Sequence, residues 1–208
     1  MKINRLIHAV FCLLVLQVSD ADAGIIVNGS FEDPDVPVGF FQNFIAGSTA
    51  ITGWTVVGID SAIVNTTVQN GITFNSQDGN QFLDLAGITS NSTSSGVTQT
   101  ISTLVGVNYL VSFYVGSATD NFQHFASTVD LTIDGGPRIG YPNPNAPTTS
   151  VDWKLFTVLF TAQNATTILT FQNGSDPTNY LGALDNVSVT VSAAAAVPEP
   201  LCRSRRRL

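Results

Sequence analysis

The apolar residues of this chain recur mostly at every second position, in short runs that end at Gly, Asn or Asp. The clearest run places Tyr109, Val111, Phe113 and Val115 on one face of an extended segment. No long stretch shows apolar residues at the i, i+3, i+4, i+7 spacing of an amphipathic helix. Alternation with a period of two is typical of strands that have one buried and one exposed face. The pattern therefore predicts an all-β protein.

Strands are predicted wherever this alternation is bounded by turn residues. They cover residues 25–27, 54–57, 81–85, 97–101, 109–115, 129–133, 156–160, 168–171 and 187–191. Residues 91–95 are polar and residues 137–149 are rich in proline, which cannot sit in a central strand, so both are predicted as surface loops. Trp54 and Trp153 each stand at a strand start and are interpreted as packing residues. Short strands at this spacing indicate a sandwich or a barrel.

The first residues have the features of a secretory signal peptide. Lys2 and Arg5 precede an apolar run at 6–18, and Ala-Asp-Ala at 21–23 is a small-residue cleavage site. The run is shorter than the ~20 apolar residues that a membrane span needs. The chain is therefore expected to divide into a signal peptide at 1–23, a β-sandwich domain at 24–192, and a linker and tail at 193–208.

The charge of the predicted domain is strongly negative. The whole chain has 15 Asp and Glu against 8 Lys and Arg. Of these cations only Arg138 and Lys154 fall within residues 24–192. Such a surface repels nucleic acid phosphates and anionic lipid, and it suits a neutral polar ligand or divalent cations. Solubility alone is the plainer explanation of the acidity.

Residues for most kinds of catalysis are missing from the predicted domain. Cys12 lies in the signal peptide and Cys202 in the tail, which leaves no cysteine for a disulfide or a thiol nucleophile. His124 is the only histidine in this range, and no serine lies in a Gly-x-Ser-x-Gly motif. A zinc site cannot be built from one histidine. Paired carboxylates of a glycosidase remain open, but no enzymatic activity and no catalytic residue are predicted.

Several phrases of the chain, taken in order, resemble one group of bacterial surface domains. They are Asn28-Gly29-Ser30-Phe31-Glu32, Gly53-Trp54, residues 78–85, Val97-Thr98-Gln99-Thr100, residues 106–113 and Leu184-Asp185-Asn186-Val187-Ser188-Val189. Together they are similar to the galactose-binding-like jelly rolls of the DUF642 and choice-of-anchor type. The resemblance implies an all-β fold: a two-sheet antiparallel β-sandwich of jelly-roll topology. It implies little about function, because the fold hosts many unrelated ligands.

The tail is similar to the PEP-CTERM sorting signal of Gram-negative bacteria. Val197-Pro198-Glu199-Pro200 supplies the motif, and arginines follow it. The family has a transmembrane stretch between these two parts, whereas here only Leu201 and Cys202 intervene. A secreted or cell-surface protein of a Gram-negative bacterium, with no stable membrane span after cleavage of the signal peptide, is therefore expected.

The same resemblance implies a structural calcium ion that joins the two ends of the domain. The N-terminal motif would supply Glu32, with Asn28 and Ser30 as carbonyl donors, and the C-terminal motif would supply Asp185. Calcium takes ~6–8 oxygen ligands from such groups. The alternative is that Glu32 and Asp185 accept hydrogen bonds from turn amides and hold no metal.

Aromatic side chains beside amides are the pattern expected of a sugar site, because sugar rings have apolar faces and hydroxyl edges. The segment after the strongest strand fits this pattern, and the candidate aromatics also include Phe40, Phe41 and Phe44. The predicted ligand-binding residues are Asn121, Phe122, Gln123, His124, Phe125 and Tyr141. The alternative is that Phe122 and Phe125 fill the core and His124 is merely exposed.

Three functions are compatible with these observations. The first is a non-catalytic extracellular module that binds polysaccharide or a cell-surface glycan. The second is a structural matrix protein whose acidic, Thr-rich surface matters and which has no pocket. The third is a glycoside-processing enzyme, which would need two carboxylates facing each other at ~5–10 Å. The first is the function predicted from the sequence.

Overall fold

The structure is a computed structural model that describes residues 25–119 and 124–192. Within these ranges every regular element is a β-strand. The strands are β1 (Phe41–Ile45), β2 (Thr55–Val57), β3 (Asp60–Asn65), β4 (Thr67–Gln69), β5 (Ile72–Phe74), β6 (Gln81–Asp84), β7 (Gly96–Ser102), β8 (Asn108–Thr119), β9 (His124–Phe125), β10 (Thr128–Ile133), β11 (Ile139–Pro142), β12 (Asp152–Thr161), β13 (Thr166–Asn173) and β14 (Ala183–Val191). The predicted signal peptide and tail lie outside the described residues.

The long strands form two sheets that face each other. The first sheet has the order β1-β3-β6-β14-β8-β12, with β9 beside β8, and the second has the order β11-β10-β13-β7-β2. All strand pairs within them are antiparallel. From β7 onward the chain crosses repeatedly between the two sheets, as in a jelly roll. The predicted fold class, a two-sheet antiparallel jelly-roll sandwich, is confirmed.

The main core lies between the sheets and is built by the alternating residues of their strands. On β8, Tyr109, Val111, Phe113 and Val115 are all buried in it, as the sequence pattern predicts. Phe113 meets Phe171 of the opposite sheet edge-to-face at a ring-centroid distance of 5.2 Å. Each buried strand therefore contributes one row of side chains to a shared interior, and its other row faces away from it.

Trp54 closes one end of this core. It is 1% exposed, and its ring centroid lies 5.4 Å from that of Phe31 and 6.1 Å from that of Phe171. Its indole Nε1–H donates to the carbonyl of Asn28 at 3.0 Å. The interpretation of Trp54 as a packing residue is confirmed, and so is that of Trp153, whose ring packs on Phe82 at 5.5 Å.

The outer face of the first sheet carries a second, smaller core. The β4–β5 hairpin folds over this face and is held by a hydrogen bond from the Thr73 amide to the Thr149 carbonyl at 2.9 Å. Beneath it lies a cluster of buried residues that comprises Val64, Ile72, Phe74, Phe82, Ala118, Val151, Leu181 and Ala183. Consequently β3 and β6 are buried at every position. A strand covered on both faces shows no alternation of apolar and polar residues. β3 also begins and ends with buried polar residues, Asp60, Ser61 and Asn65, so its sequence has no apolar pattern that predicts a strand.

Two predictions of local structure are wrong, each for a specific reason. Residues 25–27 form bends rather than a strand. The side-chain amide of Gln99 accepts from the Val27 amide at 2.8 Å and donates to the Val27 carbonyl at 3.0 Å, so that it takes the place of a neighbouring strand. Within the predicted loop at 137–149, residues 139–142 form β11. It tolerates Pro142 because it is the edge strand of its sheet.

Candidate functional site

A cleft of about 220 Å³ opens between the outer face of the first sheet and the β4–β5 hairpin. Its floor is formed by β3 and β6, and its walls by β1, the hairpin and two loops. The lining residues are Phe41, Ala62, Val64, Thr67, Gln69, Phe74, Phe82, Asp84, Gly87, Ile88, Tyr180 and Leu181. Ala62 pairs directly with Asp84 across the floor, and its small side chain leaves room above the sheet.

Asp84 is the acidic group of the cleft. Its Oδ1 accepts the amides of Ala86 and Gly182, each at 2.9 Å. No described residue donates a hydrogen bond to Oδ2, which leaves this oxygen available to the cleft. The residue is 8% exposed. Burial raises the pKa of Asp84 to about 7, against the effect of the two amides, and the nearby charge of Asp60 raises it further.

The loop after β6 is fixed by Asp60 and forms one wall of the cleft. The Asp60 carboxylate accepts the amides of Ile88 and Thr89 at 3.1 and 3.0 Å, and the hydroxyls of Thr89 and Ser90 at 2.8 Å. Burial opposes ionisation of Asp60, but these hydrogen bonds outweigh it and lower its pKa. Gly87 has a φ of +65°, and a Cβ there would lie 2.4 Å from Asp60 Cγ, so only glycine fits.

The rim of the cleft is aromatic and apolar. Phe41 is 47% exposed, Tyr180 54% and Ile88 47%. Thr67 and Gln69 add polar side chains from the hairpin. Exposed rings beside a carboxylate oxygen can hold a small ligand that has one apolar face and at least one hydrogen-bond donor. At about 220 Å³ the cleft is below the ~300–1,000 Å³ typical of drug-sized ligands, which restricts it to something near the size of one sugar ring.

The predicted ligand-binding residues are not on the described walls of this cleft. Asn121, Phe122 and Gln123 lie outside the described residues. His124 and Phe125 form β9, which pairs with Thr119 and Ala118 of β8, and only their backbone is described. Whether these residues bind a ligand stays a prediction.

Tyr141, the sixth predicted residue, has a packing role in the structure. Its ring meets Phe113 and Phe156 edge-on, at centroid distances of 5.3 and 5.4 Å. It therefore packs against the main core. Of the early candidate aromatics, Phe44 is also buried in the core, Phe40 is exposed away from the cleft, and only Phe41 lines it.

Asp84 and Tyr180 were not found by sequence reasoning. Asp84 belongs to a phrase that identified the fold, and its position opposite Ala183 of β14 and Ala62 of β3 is set by long-range pairing. Tyr180 lies in a loop without a pattern of its own. The available signal was an aspartate in the middle of the apolar run at 81–85, where a buried strand would carry a hydrophobic residue.

The predicted calcium ligands surround one turn, at residues 76–81. Glu32 Oε1 accepts the amides of Asn80 and Gln81, both at 2.8 Å. Asp185 is fully buried; its Oδ2 accepts the amides of Gln77 and Asp78 at 2.7 and 3.0 Å. Burial raises the pKa of Asp185 to about 7, although these amides oppose the rise. Both carboxylates thus accept hydrogen bonds from turn amides, which are the contacts expected if Glu32 and Asp185 stabilise the turn without a metal.

The other two predicted ligands also have protein partners. The carbonyl of Asn28 accepts from the Trp54 indole at 3.0 Å, and the side chain of Ser30, whose carbonyl is the predicted ligand, donates to Asp78 Oδ2 at 2.7 Å. Among the described residues no group of three or more acidic, histidine or cysteine side chains is arranged to hold a metal ion. The predicted set has only two carboxylates beside its carbonyls, and calcium binding by it stays a prediction.

Calcium binding predicts a higher melting temperature in calcium than in chelator, because an ion that binds only the folded state stabilises it. The gain is about 2.7 kcal/mol when calcium is present at 100 times its dissociation constant. Thermal unfolding of the wild type should be followed in calcium, in magnesium and in EGTA. Glu32→Ala loses two turn hydrogen bonds and is therefore destabilised with or without calcium. The diagnostic result for this variant is that its melting temperature no longer rises when calcium is added. Equal melting temperatures of the wild type in all three conditions would exclude the ion.

Within the described ranges the chain has no helix of the length and apolarity that a membrane crossing requires.

The chain is similar to proteins of known sequence or structure. A segment of halomucin from Haloquadratum walsbyi is 30% identical over 182 residues, which are 85% of this chain but 2% of halomucin. A family 35 carbohydrate-binding module from Clostridium thermocellum superimposes with a TM-score of 0.39 and 16% identity, over 73% of this chain and 98% of the module. An exo-β-1,3-galactanase from Phanerochaete chrysosporium superimposes with a TM-score of 0.42 and 18% identity, over 74% of this chain and 30% of the enzyme.

The family is defined by a sequence match rather than by these structures, whose TM-scores lie below 0.5. The match covers residues 24–190, which is nearly the whole of the described sandwich and includes every strand that forms the cleft. It has the description "protein of unknown function", so it assigns no ligand. By this match the chain belongs to the DUF642 family.

Proposed function

We propose that this protein is a non-catalytic carbohydrate-binding module that holds one sugar residue of a glycan in the cleft beside Asp84. The observation that carries the proposal is the combination, on one cleft, of a largely buried aspartate whose Oδ2 accepts no hydrogen bond from the described residues and two half-exposed rings, Phe41 and Tyr180. A sugar offers the matching groups, because its hydroxyls donate to a carboxylate and its C–H face packs on aromatic rings.

The carboxylates around the cleft support binding rather than hydrolysis. Glycosidases use two carboxyl groups that flank the scissile bond at roughly 5–10 Å. Asp84 is the only acidic residue among those that line the described walls. Asp60 interacts electrostatically with Asp84. Its carboxylate already accepts hydrogen bonds from the loop at 88–90. Asp60 is fully buried beneath that loop, so it is not placed to attack a sugar or activate a water in the cleft.

An extracellular location supports the same function. The signal-peptide features at 1–23 direct the chain to export. Polysaccharides and cell-surface glycans are the sugars that an exported protein meets. The tail at 193–208 resembles part of a sorting signal of Gram-negative bacteria, and this resemblance supports release from, or display on, such a cell.

Loss of either ring from the cleft is expected to weaken glycan binding by about 2- to 10-fold, since aromatic packing contributes ~0.5–1.5 kcal/mol per ring. A ligand found by screening immobilised polysaccharides and oligosaccharides should be titrated by calorimetry against wild type, Phe41→Ala and Tyr180→Ala. Phe40→Ala is the matched control, because Phe40 is adjacent and exposed but does not line the cleft.

The control variant should bind as tightly as wild type. Equal affinity of all four proteins would place the sugar elsewhere, with residues 121–125 as the next segment to test. An absence of binding to every glycan would contradict the proposal and favour a structural matrix protein.

A further inference from the structure

The charge of Asp84 is not needed for its structural role. Its two protein contacts, from the amides of Ala86 and Gly182, both go to Oδ1. The carbonyl oxygen of an asparagine side chain would accept the same two hydrogen bonds without the desolvation penalty of a buried charge. The second oxygen, which distinguishes aspartate, is the one available to the cleft.

No described lysine or arginine is placed to neutralise this carboxylate. Arg138 contacts Asp130 Oδ2 at 2.5 Å and donates to the carbonyl of Asn173 at 2.8 Å. Lys154 Nζ lies 4.8 Å from the ring centre of Phe156, in contact with the main core's edge. Neither side chain lines the cleft. Buried carboxylates in proteins are nearly always paired, coordinated or protonated. Because the described residues offer Asp84 no cation, an ammonium group of a ligand is the partner that would keep it ionised in the cleft.

Other groups around the cleft also favour a positive charge in it. Asp60 lies close enough to interact electrostatically with Asp84, and its own contacts are hydrogen-bond donors rather than cations. The faces of Phe41 and Tyr180 attract cations through the ring quadrupole. The domain as a whole is acidic, which raises the local concentration of cationic ligands.

We infer that the cleft selects sugars that carry a primary amine, and that Asp84 Oδ2 accepts a hydrogen bond from the ligand's ammonium group while Phe41 and Tyr180 pack on the ring. This inference rests on the proposed function and narrows it to amino sugars in their free-amine form. The ammonium supplies both a counter-charge and hydrogen-bond donors, whereas a neutral hydroxyl supplies only a donor.

Three oligosaccharides of equal length test the inference: a glucosamine hexamer, an N-acetylglucosamine hexamer and cellohexaose. Acetylation removes the charge and keeps the ring, so the first two form a matched pair. Calorimetry at pH 7 should show the glucosamine hexamer binding about tenfold or more tightly than the other two, as expected for one charge-assisted hydrogen bond. The preference should diminish at high salt.

The role of Asp84 is tested with Asp84→Asn, which keeps the Oδ1 contacts and is expected to stay folded. It should bind all three hexamers with similar, weak affinity. Asp35→Asn is the control for general acidity, because it removes an exposed charge from outside the cleft lining, and it should retain the tenfold preference.

The remaining outcomes separate this inference from the proposed function. Equal binding of all three hexamers by the wild type would overturn the amine preference and leave a carbohydrate-binding cleft in place. Binding of none of them, nor of any glycan in the wider screen, would overturn both. A preference for glucosamine that persists in Asp84→Asn would show that the acidic surface, rather than this cleft, attracts the amine.

Discussion

Replacement of Trp54 by alanine is expected to lower the free energy of unfolding by about 3–5 kcal/mol, the range for large aromatic residues deleted from a core. Trp54 is among the largest fully buried side chains of the described chain. It contacts Phe31 from the segment before β1 and Phe171 from β13. Its removal leaves a cavity between parts of the chain that are far apart in sequence and cannot easily close it.

The hydrogen bond of the indole adds to this loss. The Asn28 carbonyl accepts from Trp54 Nε1 and also from the amide of Phe31 at 3.2 Å. The substitution therefore loosens the turn at 28–31 as well as the core. Urea unfolding followed by circular dichroism measures the change, and Phe40→Ala, an exposed aromatic, should change stability by less than about 0.5 kcal/mol. A loss below about 1 kcal/mol for Trp54→Ala would contradict the burial of Trp54 in the main core.

The free energy of unfolding is expected to fall as pH rises from about 4 to about 7, because of Asp84. Burial raises the folded-state pKa of this group from 3.8 to about 7. Between these values the unfolded chain releases the proton and the folded chain retains it. The unfolded state is then favoured progressively, and the stability present at acidic pH is lost by the time pH passes the folded pKa.

The magnitude follows from the width of this window. Each pH unit corresponds to ~1.4 kcal/mol for one proton, so Asp84 accounts for up to about 4 kcal/mol between pH 4 and pH 7. Asp185, whose pKa is also raised, titrates in the same direction. Asp60 has a lowered pKa and acts only at more acidic pH.

Urea unfolding at several pH values between 4 and 8 measures this dependence. Asp84→Asn should be less sensitive to pH over that range, and should be more stable than wild type above pH 7, because it avoids the buried charge and keeps the Oδ1 contacts. Asp35→Asn should follow the wild-type curve. If the wild-type and Asp84→Asn curves run parallel, Asp84 does not hold its proton in the folded state.

The sandwich could be predicted from sequence because most of its strands have one face in the core and one outside. From Tyr109 to Val115 of β8, buried residues alternate with less buried ones, as this arrangement requires. Prediction failed where the environment departs from it. β3 is covered on both faces and shows no alternation, and residues 25–27 have their backbone groups satisfied by one side chain, Gln99, rather than by a strand.

The cleft could not be predicted, because it exists only through long-range contacts. Phe41, Asp84 and Tyr180 are distant in sequence and come together because β1, β3, β6 and β14 are neighbours in the first sheet. The ligand-binding residues predicted at 121–125 were chosen from the composition of one segment. Local composition identifies residues that are close in sequence, but not residues that folding brings together from distant segments. Phe41 was a candidate by type, but nothing local distinguished it from Phe40 or Phe44.

The mouth of the cleft is formed by the β4–β5 hairpin and by loops outside the core, and its residues can change without loss of the fold. Gln69, Ile88 and Tyr180 shape the mouth of the cleft but take no part in either buried cluster. Substitutions at these positions change the shape and polarity of the mouth while the residues that specify the fold stay the same. Members of one family can therefore acquire different ligands by a few surface replacements, and shared ancestry among them will not guarantee a shared target.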